Sequence, residues 1–404
     1  MQRQHLLSGV VVVDFTQFLA GPSVSQAMAE LGAEVIKVES APTGDPGRYL
    51  PLQRDGRSGY FIQQNTAKES LCIDLRHAEG KALVNRLLQR ADVLVENFSP
   101  GVIEKLGFGW DAVHALNPRL VMASVSALGQ NGPLAKMPGF DFTGQAYSGV
   151  PSMAGDADGA PALIGVAVGD LGTGMSALAA VCAALYHRER GGQGTRVEVS
   201  LVDFLFRSHE ANVEMHTLSG GSIKPHRSGS QSTAYAPVGY YKARDGYVNL
   251  VVPSPMWPKL CEAMGQPALA TDARFETNED RVAHLAELVA IIETWMAGFD
   301  GVDAVVAHCA GFRLPAAPVL SVEQAIKHPQ LAGRGTVRTV ADPILGEVTI
   351  AGQPIRAHGF AHHTGRPAPL LGEHNADVLS RHLGLDAAEL ARLTQAGVLV
   401  SARV

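Results

Sequence analysis

The chain has 404 residues, well past the size at which one hydrophobic core stops growing, so two domains are expected. Hydrophobic residues make up 46% and charged residues 18%, a globular composition and not that of a disordered chain. A formal charge of −6 speaks against a general nucleic-acid binder, and four scattered cysteines with no C-x-x-C pair speak against a disulfide framework or zinc site and fit a reduced, cytoplasmic setting.

Val10–Phe15 is a β-branched run whose short apolar core is closed by Asp14, so it reads as a strand and not as a signal peptide. Ala20-Gly21-Pro22 places Pro at a helix start, and Val24, Ala27, Met28 and Leu31 follow at helical spacing until Gly32. Glu34–Glu39 returns as a strand. The cycle repeats with a helix over Glu79–Gln89 and a strand over Val93–Glu96, then a helix over Ile103–Ala115 and a strand over Leu120–Val125. This alternation predicts an α/β fold with a parallel sheet and crossover helices. Gly169–Arg190 predicts an Ala-rich helix, ended by Gly191-Gly192-Gln193-Gly194 and followed by a strand over Thr195–Leu201. Its small-apolar stretch near Ser176–Leu185 is shorter than the ~20 residues a bilayer crossing requires, so no membrane partner is expected. Ser219–Pro237 is polar and glycine-rich, a linker or loop. A smaller unit follows over about 238–321, with strands at Val238–Tyr241 and Tyr247–Val252 and helices at Trp257–Ala263, Val282–Met296 and Val302–Ala310. Residues 333–404 return to mixed strand and helix character.

Five places hold residues suited to chemistry. The strand–turn–helix over Val10–Leu31 offers free amides to an anion, but its turn Leu19-Ala20-Gly21-Pro22-Ser23 lacks the G-x-G-x-x-G of a dinucleotide site, and ordinary βα packing also accounts for it. Glu96-Asn97-Phe98-Ser99-Pro100-Gly101 follows a strand, where α/β sheets hold ligands. Asn97 suits an amide or adenine and Phe98 a ring, while an Asn turn closed by Pro-Gly is the plain alternative. Asp170 lies between Gly169 and Gly172 at a helix entrance. Such an Asp is usually an N-cap, yet flanking glycines admit a bulky ligand and a helix N-terminus favours the ionised, nucleophilic carboxylate. The loop Leu218–Gln231 carries Lys224, His226 and Arg227, suited to closing over an acidic substrate or simply solvated. His358 and His362, with His363 beside them, have H-x-x-x-H spacing, but Gly359 breaks any helix there, so no metal site is expected.

Leu7–Thr16, Ala20-Gly21-Pro22, Leu31–Glu39 with Gly44-Asp45, then Asn65, Lys68 and Ser70 with Asp74-Leu75-Arg76 form a series. It continues through Glu96–Gly101, Gly139-Phe140-Asp141 and Gly169-Asp170 to Pro369–His374. In this order, along nearly the whole chain, they resemble the class III CoA-transferase family, the CaiB–BaiF type that includes formyl-CoA and carnitine CoA-transferases. The resemblance implies a Rossmann-like large domain whose parallel sheet is formed by both chain ends (1–215 and 326–404), a smaller α+β domain (216–325), and an interlocked homodimer. It implies that Asp170 attacks an acyl-CoA thioester, passing through an aspartyl anhydride and an aspartyl-CoA thioester. CoA contacts would come from Leu19, Ala20, Ile73, Arg76, Asn97, Phe98, Lys105 and Lys136, with Tyr60, Phe140 and Arg227 near the substrate. CoA enters as a thioester substrate together with a carboxylic acid, and no cofactor is bound permanently. Leu19 stands where formyl-CoA transferases carry glutamine, and Ser40 where they carry arginine, which points away from formate and oxalate, while Lys224, His226 and Arg227, on the loop that matches the family's acyl-end region, point to a short di- or hydroxy-carboxylate. The related 2-methylacyl-CoA racemases place a histidine at the position of Phe140, which has no proton to exchange, so racemisation is the alternative activity.

Overall fold

The structure, a computed structural model, describes residues 5–362 and 364–402. His363, part of the histidine cluster noted above, lies outside the described residues. The chain divides into two compact units: Met1–Val150, Gly165–Glu210 and Pro329–Val404 form the first, and Pro151–Ile164 with Ala211–His328 form the second.

The first unit is built on six parallel strands, β1 (Val11–Asp14), β2 (Glu34–Ser40), β3 (Glu69–Ile73), β4 (Val93–Glu96), β5 (Val121–Ser126) and β6 (Arg196–Ser200). Their order in the sheet is β3-β2-β1-β4-β5-β6. The middle strands are almost entirely buried, as near-continuous apolar runs must be when helices cover both faces. One face packs under α1 (Ala20–Glu30), and the other under α2 (Ala78–Leu88). The later helices are α3 (Asp141–Ser148), α4 (Val168–Glu189) and α5 (Leu201–Arg207), of which α4 joins α1 on its face. Because the chain leaves β1 toward β2 on one side and enters β4 on the other, the carboxyl ends of β1 and β4 border a crevice, the switch point where open α/β sheets take ligands.

Several expectations are corrected. All six strands come from residues 11–200. Among the described residues the C-terminal segment adds no strand to this sheet, only an isolated bridge between Leu399 and Ile73; its strands Val337–Asp342 and Gly346–Ala351 pair with each other, and α6 (Asn375–Leu383) and α7 (Ala387–Gln395) cover the β3 side. Residues 375–395 carry amphipathic helix patterns, and Val378, Leu379, Leu383 and Leu393 pack into the core on one face of the sheet. The helix expected over Ile103–Ala115 is two helices, Val102–Leu106 and Trp110–Leu116, separated at Gly107, whose φ of 95° is left-handed. Helix α4 has 22 residues, so by length and composition it could cross a bilayer, which the shorter window in the sequence missed. Here Ala177, Leu178, Val181, Ala184 and Leu185 are buried against the sheet and α1.

In the second unit Val238–Lys242, Tyr247–Val251 and Ala316–Pro318 form an antiparallel sheet. Trp257, Leu260, Phe275, Leu288, Ile292 and Met296 fill its core. The helix expected over Val282–Met296 breaks at His284, between Asn278–Ala283 and Leu285–Ala297.

A buried ionic network sits at the carboxyl ends of β1 and β2, joined by Lys68 from just before β3. Lys68 Nζ pairs with Asp14 at 3.0 Å, and Lys37 Nζ pairs with Asp45 at 2.9 Å. Arg48 makes a two-pronged contact with Glu39, at 2.6 and 2.8 Å. Burial works against the charges of Asp14, Lys37, Glu39 and Lys68. For Asp14, Lys68 and then Lys37 outweigh it and hold the carboxyl below its usual range; for Lys37, Asp45, Asp14 and Glu39 outweigh it and raise the ammonium. Lys68 is the exception: burial wins, and its ammonium falls to about 8. Removing one member of such a network leaves its partner charged and unpaired. We expect Lys37→Met to destabilise the fold by roughly 3–5 kcal/mol, read from guanidinium denaturation midpoints with m-values. A loss below about 1 kcal/mol would show that the network is dispensable.

Candidate active site

The network fixes the turn between β1 and α1. Lys37 Nζ donates to Thr16 O at 2.7 Å, the Thr16 amide donates to Asp14, and the Phe18 amide donates to Asp45 Oδ1 at 3.3 Å. Phe18 is held at φ +62°, a left-handed conformation that a bulky residue rarely adopts and that the surrounding bonds must enforce. Across the crevice the Gln17 amide donates to Asn97 Oδ1 at 2.8 Å, and Asn97 Nδ2 donates to Gln17 O at 2.8 Å. The buried Glu96 carboxylate accepts the Phe98 amide at 2.9 Å. The turns after β1 and β4 are thus joined into one rim. Gly21 is required there, since a Cβ would meet Thr16 at 2.5 Å and Asn97 at 2.8 Å.

Behind the rim is a cleft of about 330 Å³ lined by Phe18, Leu19, Ala20, Asn97, Phe140 and Asp170, among others. A second cleft of about 460 Å³ adjoins it, with Gln17 and Phe98 common to both walls, and runs past Val38, Ser40, Asp74 and Arg76. Arg76 is 81% exposed at this mouth, its guanidinium paired with Asp74 at 2.6 Å. Phe140, 68% exposed, meets Phe18 edge-on with ring centroids 6.0 Å apart.

Asp170 is the third residue of α4, not its N-cap; Ala167 holds that position without a side-chain cap bond. The backbone amide of Asp170 donates to Asp141 Oδ1 at 2.7 Å. The expectation that the helix N-terminus keeps Asp170 readily ionised does not hold. Burial, reinforced by the facing Asp141 charge, pushes its carboxyl up to about 7. Desolvation inside the cleft is larger than the fractional helix charge that opposes it. Tyr60 is half-buried. Burial, then the Asp170 and Asp45 charges, keep its phenol protonated.

The structure therefore gathers Leu19, Ala20, Asn97, Phe98, Phe140 and Asp170 on one cleft, with Arg76 on the next. Ile73 is fully buried in the core of the sheet, where its side chain has no access to a ligand. Lys105 and Lys136 are exposed, and among the described residues lining these two clefts neither figures. Arg227 belongs to the second unit, where its guanidinium donates to the Asp156 and Gly159 carbonyls at 3.3 and 2.9 Å. Asn97, read as a ligand contact, has both polar groups engaged with Gln17. His358 and His362 lie on an irregular segment in which Gly359 has φ +86°.

The sequence matches the family model described as CoA-transferase family III over residues 7–375. The chain belongs to CoA-transferase family III. It is 36% identical to the succinyl-CoA–D-citramalate CoA-transferase of Chloroflexus aurantiacus, over 96% of each chain. It is 34% identical to the formyl-CoA:oxalate CoA-transferase of Streptomyces avermitilis, over 97% of this chain and 99% of the relative. Among solved structures, a CAIB/BAIF family protein from Brucella suis superposes with a TM-score of 0.82 at 33% identity, covering 94% of this chain and all of that one.

Two residues of this CoA-transferase were given no role from the sequence, Gln17 and Asp141. Gln17 offers only backbone to the Asn97 clamp, so no side-chain pattern could flag it. Asp141 was legible as part of Gly139-Phe140-Asp141, and its Gln four residues later is a helical-spacing signal of a held carboxylate.

A carboxyl whose proton affinity is raised on folding opposes folding once it must ionise. For Asp170 that cost is absent below pH ~4, grows as pH rises toward about 7 and levels off above. Asp170→Asn should therefore raise stability at pH 8, by up to roughly 4 kcal/mol, and leave it nearly unchanged at pH 4. Denaturant titrations at the two pH values check this, and an equal effect at both would contradict it.

Proposed function

We propose that this family III CoA-transferase moves CoA between an acyl-CoA donor and a short di- or hydroxy-carboxylate, with Asp170 as its covalent carboxylate. The observation that carries the reading is that Asp170 lines the switch-point cleft, beside a second cleft that shares Gln17 and Phe98 with it. The Asp170 carboxylate oxygen attacks the thioester carbonyl, the C–S bond breaks, and an acyl–aspartyl anhydride forms with CoA thiolate. The thiolate then attacks the aspartyl carbonyl, releasing the donor acid as its carboxylate and leaving aspartyl-CoA thioester. The acceptor carboxylate displaces thiolate to give a new anhydride. Thiolate attack on the acceptor's carbonyl yields the product thioester and regenerates Asp170.

A nucleophile with a proton affinity near neutrality is more basic than an ordinary carboxylate and still largely ionised at pH 8, a favourable compromise for attack. Tyr60, kept protonated in electrostatic range of Asp170, supplies a hydroxyl donor for charge on the acyl oxygen. Leu19, Ala20 and Phe98 form the apolar wall for the pantetheine arm, and Arg76 stands at the mouth for a phosphate. A dicarboxylate is favoured because the two relatives named above act on citramalate and oxalate. The reading does not rest on Arg227, whose guanidinium is engaged by carbonyls. Racemisation is disfavoured by Phe140, which lies on the same cleft as Asp170 and has no exchangeable proton.

Asp170→Ala should keep its fold and lose about 10³-fold or more in turnover, at least ~4 kcal/mol of barrier lowering. Incubation of the wild type with acyl-CoA should leave acyl or CoA mass on the peptide that contains Asp170. In an acceptor panel, succinate, malate, mesaconate and citramalate should exceed butyrate and longer monoacids in kcat/KM. A win for medium-chain monoacids would overturn the substrate class, and an active Asp170→Ala variant the mechanism.

The assembly we propose is an obligate homodimer, in keeping with a chain that leaves the first unit at Glu210 and returns to it at Pro329. Light scattering across a wide dilution series should show no monomer; a stable, active monomer would exclude it.

A further inference from the structure

Asp141 opens α3 directly after Gly139-Phe140 and is only 5% exposed. Its Oδ1 accepts the Asp170 amide at 2.7 Å, and its Oδ2 accepts Gln145 Nε2 one turn along the same helix. Gly169 makes this approach possible, because a Cβ there would lie 2.6 Å from Asp141 Oδ1. The amide of Asp170 is one of the donors left open in the first turn of any helix, and a neutral acceptor such as Asn or Ser would satisfy it. A buried carboxylate performs the same task at a much higher desolvation cost and sets its own negative charge against the Asp170 carboxyl. Geometry alone does not call for that charge; a nucleophile that must stay basic does.

We infer that Asp141 is a positioning residue for Asp170: it clamps the first turn of α4 through the Asp170 amide and presents its negative charge to the carboxyl that carries out the transfer. The inference rests on the covalent role proposed for Asp170. The charge raises the basicity of the nucleophile, and with it the intrinsic rate of attack, while moving the pH at which it ionises toward neutrality. The other ionisable groups on elements packed against α4 are paired elsewhere or exposed. Glu30 on α1 pairs with Arg338, Asp203 on α5 accepts Ser200, and Arg196 on β6 donates to Ser124 and Gln130. Tyr147 on α3 donates to the Met137 sulfur, and Arg207 and Glu198 complete the set. Tyr60, which feels the Asp170 charge, remains protonated throughout.

The test compares wild type with Asp141→Asn, Asp141→Ser and Asp141→Ala. Asn and Ser keep a neutral acceptor for the amide, so either serves if the other fails to fold. The first readout is the titration of the Asp170 carboxyl, followed by ¹³C NMR of aspartate-labelled enzyme, with Asp170→Asn identifying the signal. Asn or Ser should shift that titration to lower pH by about one unit or more, and the acid limb of kcat/KM should move with it. Asp141→Ala, which also frees the helix turn, should lower kcat about 100-fold while the KM for the CoA donor changes less than about threefold. A titration curve that overlays wild type in the neutral variants would overturn the charge role, and an unchanged kcat in Asp141→Ala the clamp. If wild type gives no covalent adduct at Asp170, the transferase mechanism fails, yet the carboxyl titration still decides whether Asp141 acts on Asp170.

Discussion

Everything at the crevice hangs from the ion pairs buried under it. Lys37 and Lys68 stand fully buried among Asp14, Asp45 and Glu39, so their charges depend on these partners for compensation. Such a network gives little net stability compared with apolar packing of the same volume. Its value is specificity of position: Lys37 aims Thr16 O, Asp45 aims the Phe18 amide, and Asp14 aims the Thr16 amide. The left-handed Phe18 is a local strain that an apolar cushion would let relax and that directed hydrogen bonds do not. The cleft wall formed by Phe18, Leu19 and Ala20 is therefore set by charges at the end of β1 and on and beyond its neighbour β2.

The same economy of polar groups recurs across the crevice. Asn97 joins the two turns with a reciprocal pair of bonds, so the switch point is closed by protein before any substrate arrives. The C-terminal segment is tied back in kind. Gly372 donates to Ser70, which itself donates to Glu39, and Asn375 accepts the Cys72 amide. Asp342 pairs with Arg57. The bonds from Gly372 and Asn375 span 302 and 303 positions and end on β3, beside the ionic network.

The α/β character of the chain could be read from its sequence because strand and helix periods alternate cleanly from Val10 to Val125. The end of the chain was harder. Residues 375–395 bear the stripe of an amphipathic helix, but nothing local says that they cover β3 and do not extend it. Asp170 was legible through its glycines, whereas its protonation was not, since desolvation and a facing carboxylate depend on residues 29 positions apart in the chain. Asn97 shows the converse. Its residue type suits a ligand contact, and only the geometry reveals that both of its polar groups already hold Gln17. Arg227 has the right chemistry for a carboxylate and bonds to carbonyls of its own unit.

Helix α4 has one more consequence, which concerns the order in which the chain is made. It is long and apolar enough to be read as a membrane segment if it stood alone. Yet α1 and the strands β1 to β5 all precede it in the sequence and come off the ribosome first, and α1 and the nearer of those strands bury its apolar side. Much of the surface that hides α4 is thus synthesised before the helix emerges, and β6 and α5, which also pack on it, follow directly, which narrows the interval in which a targeting factor could capture it.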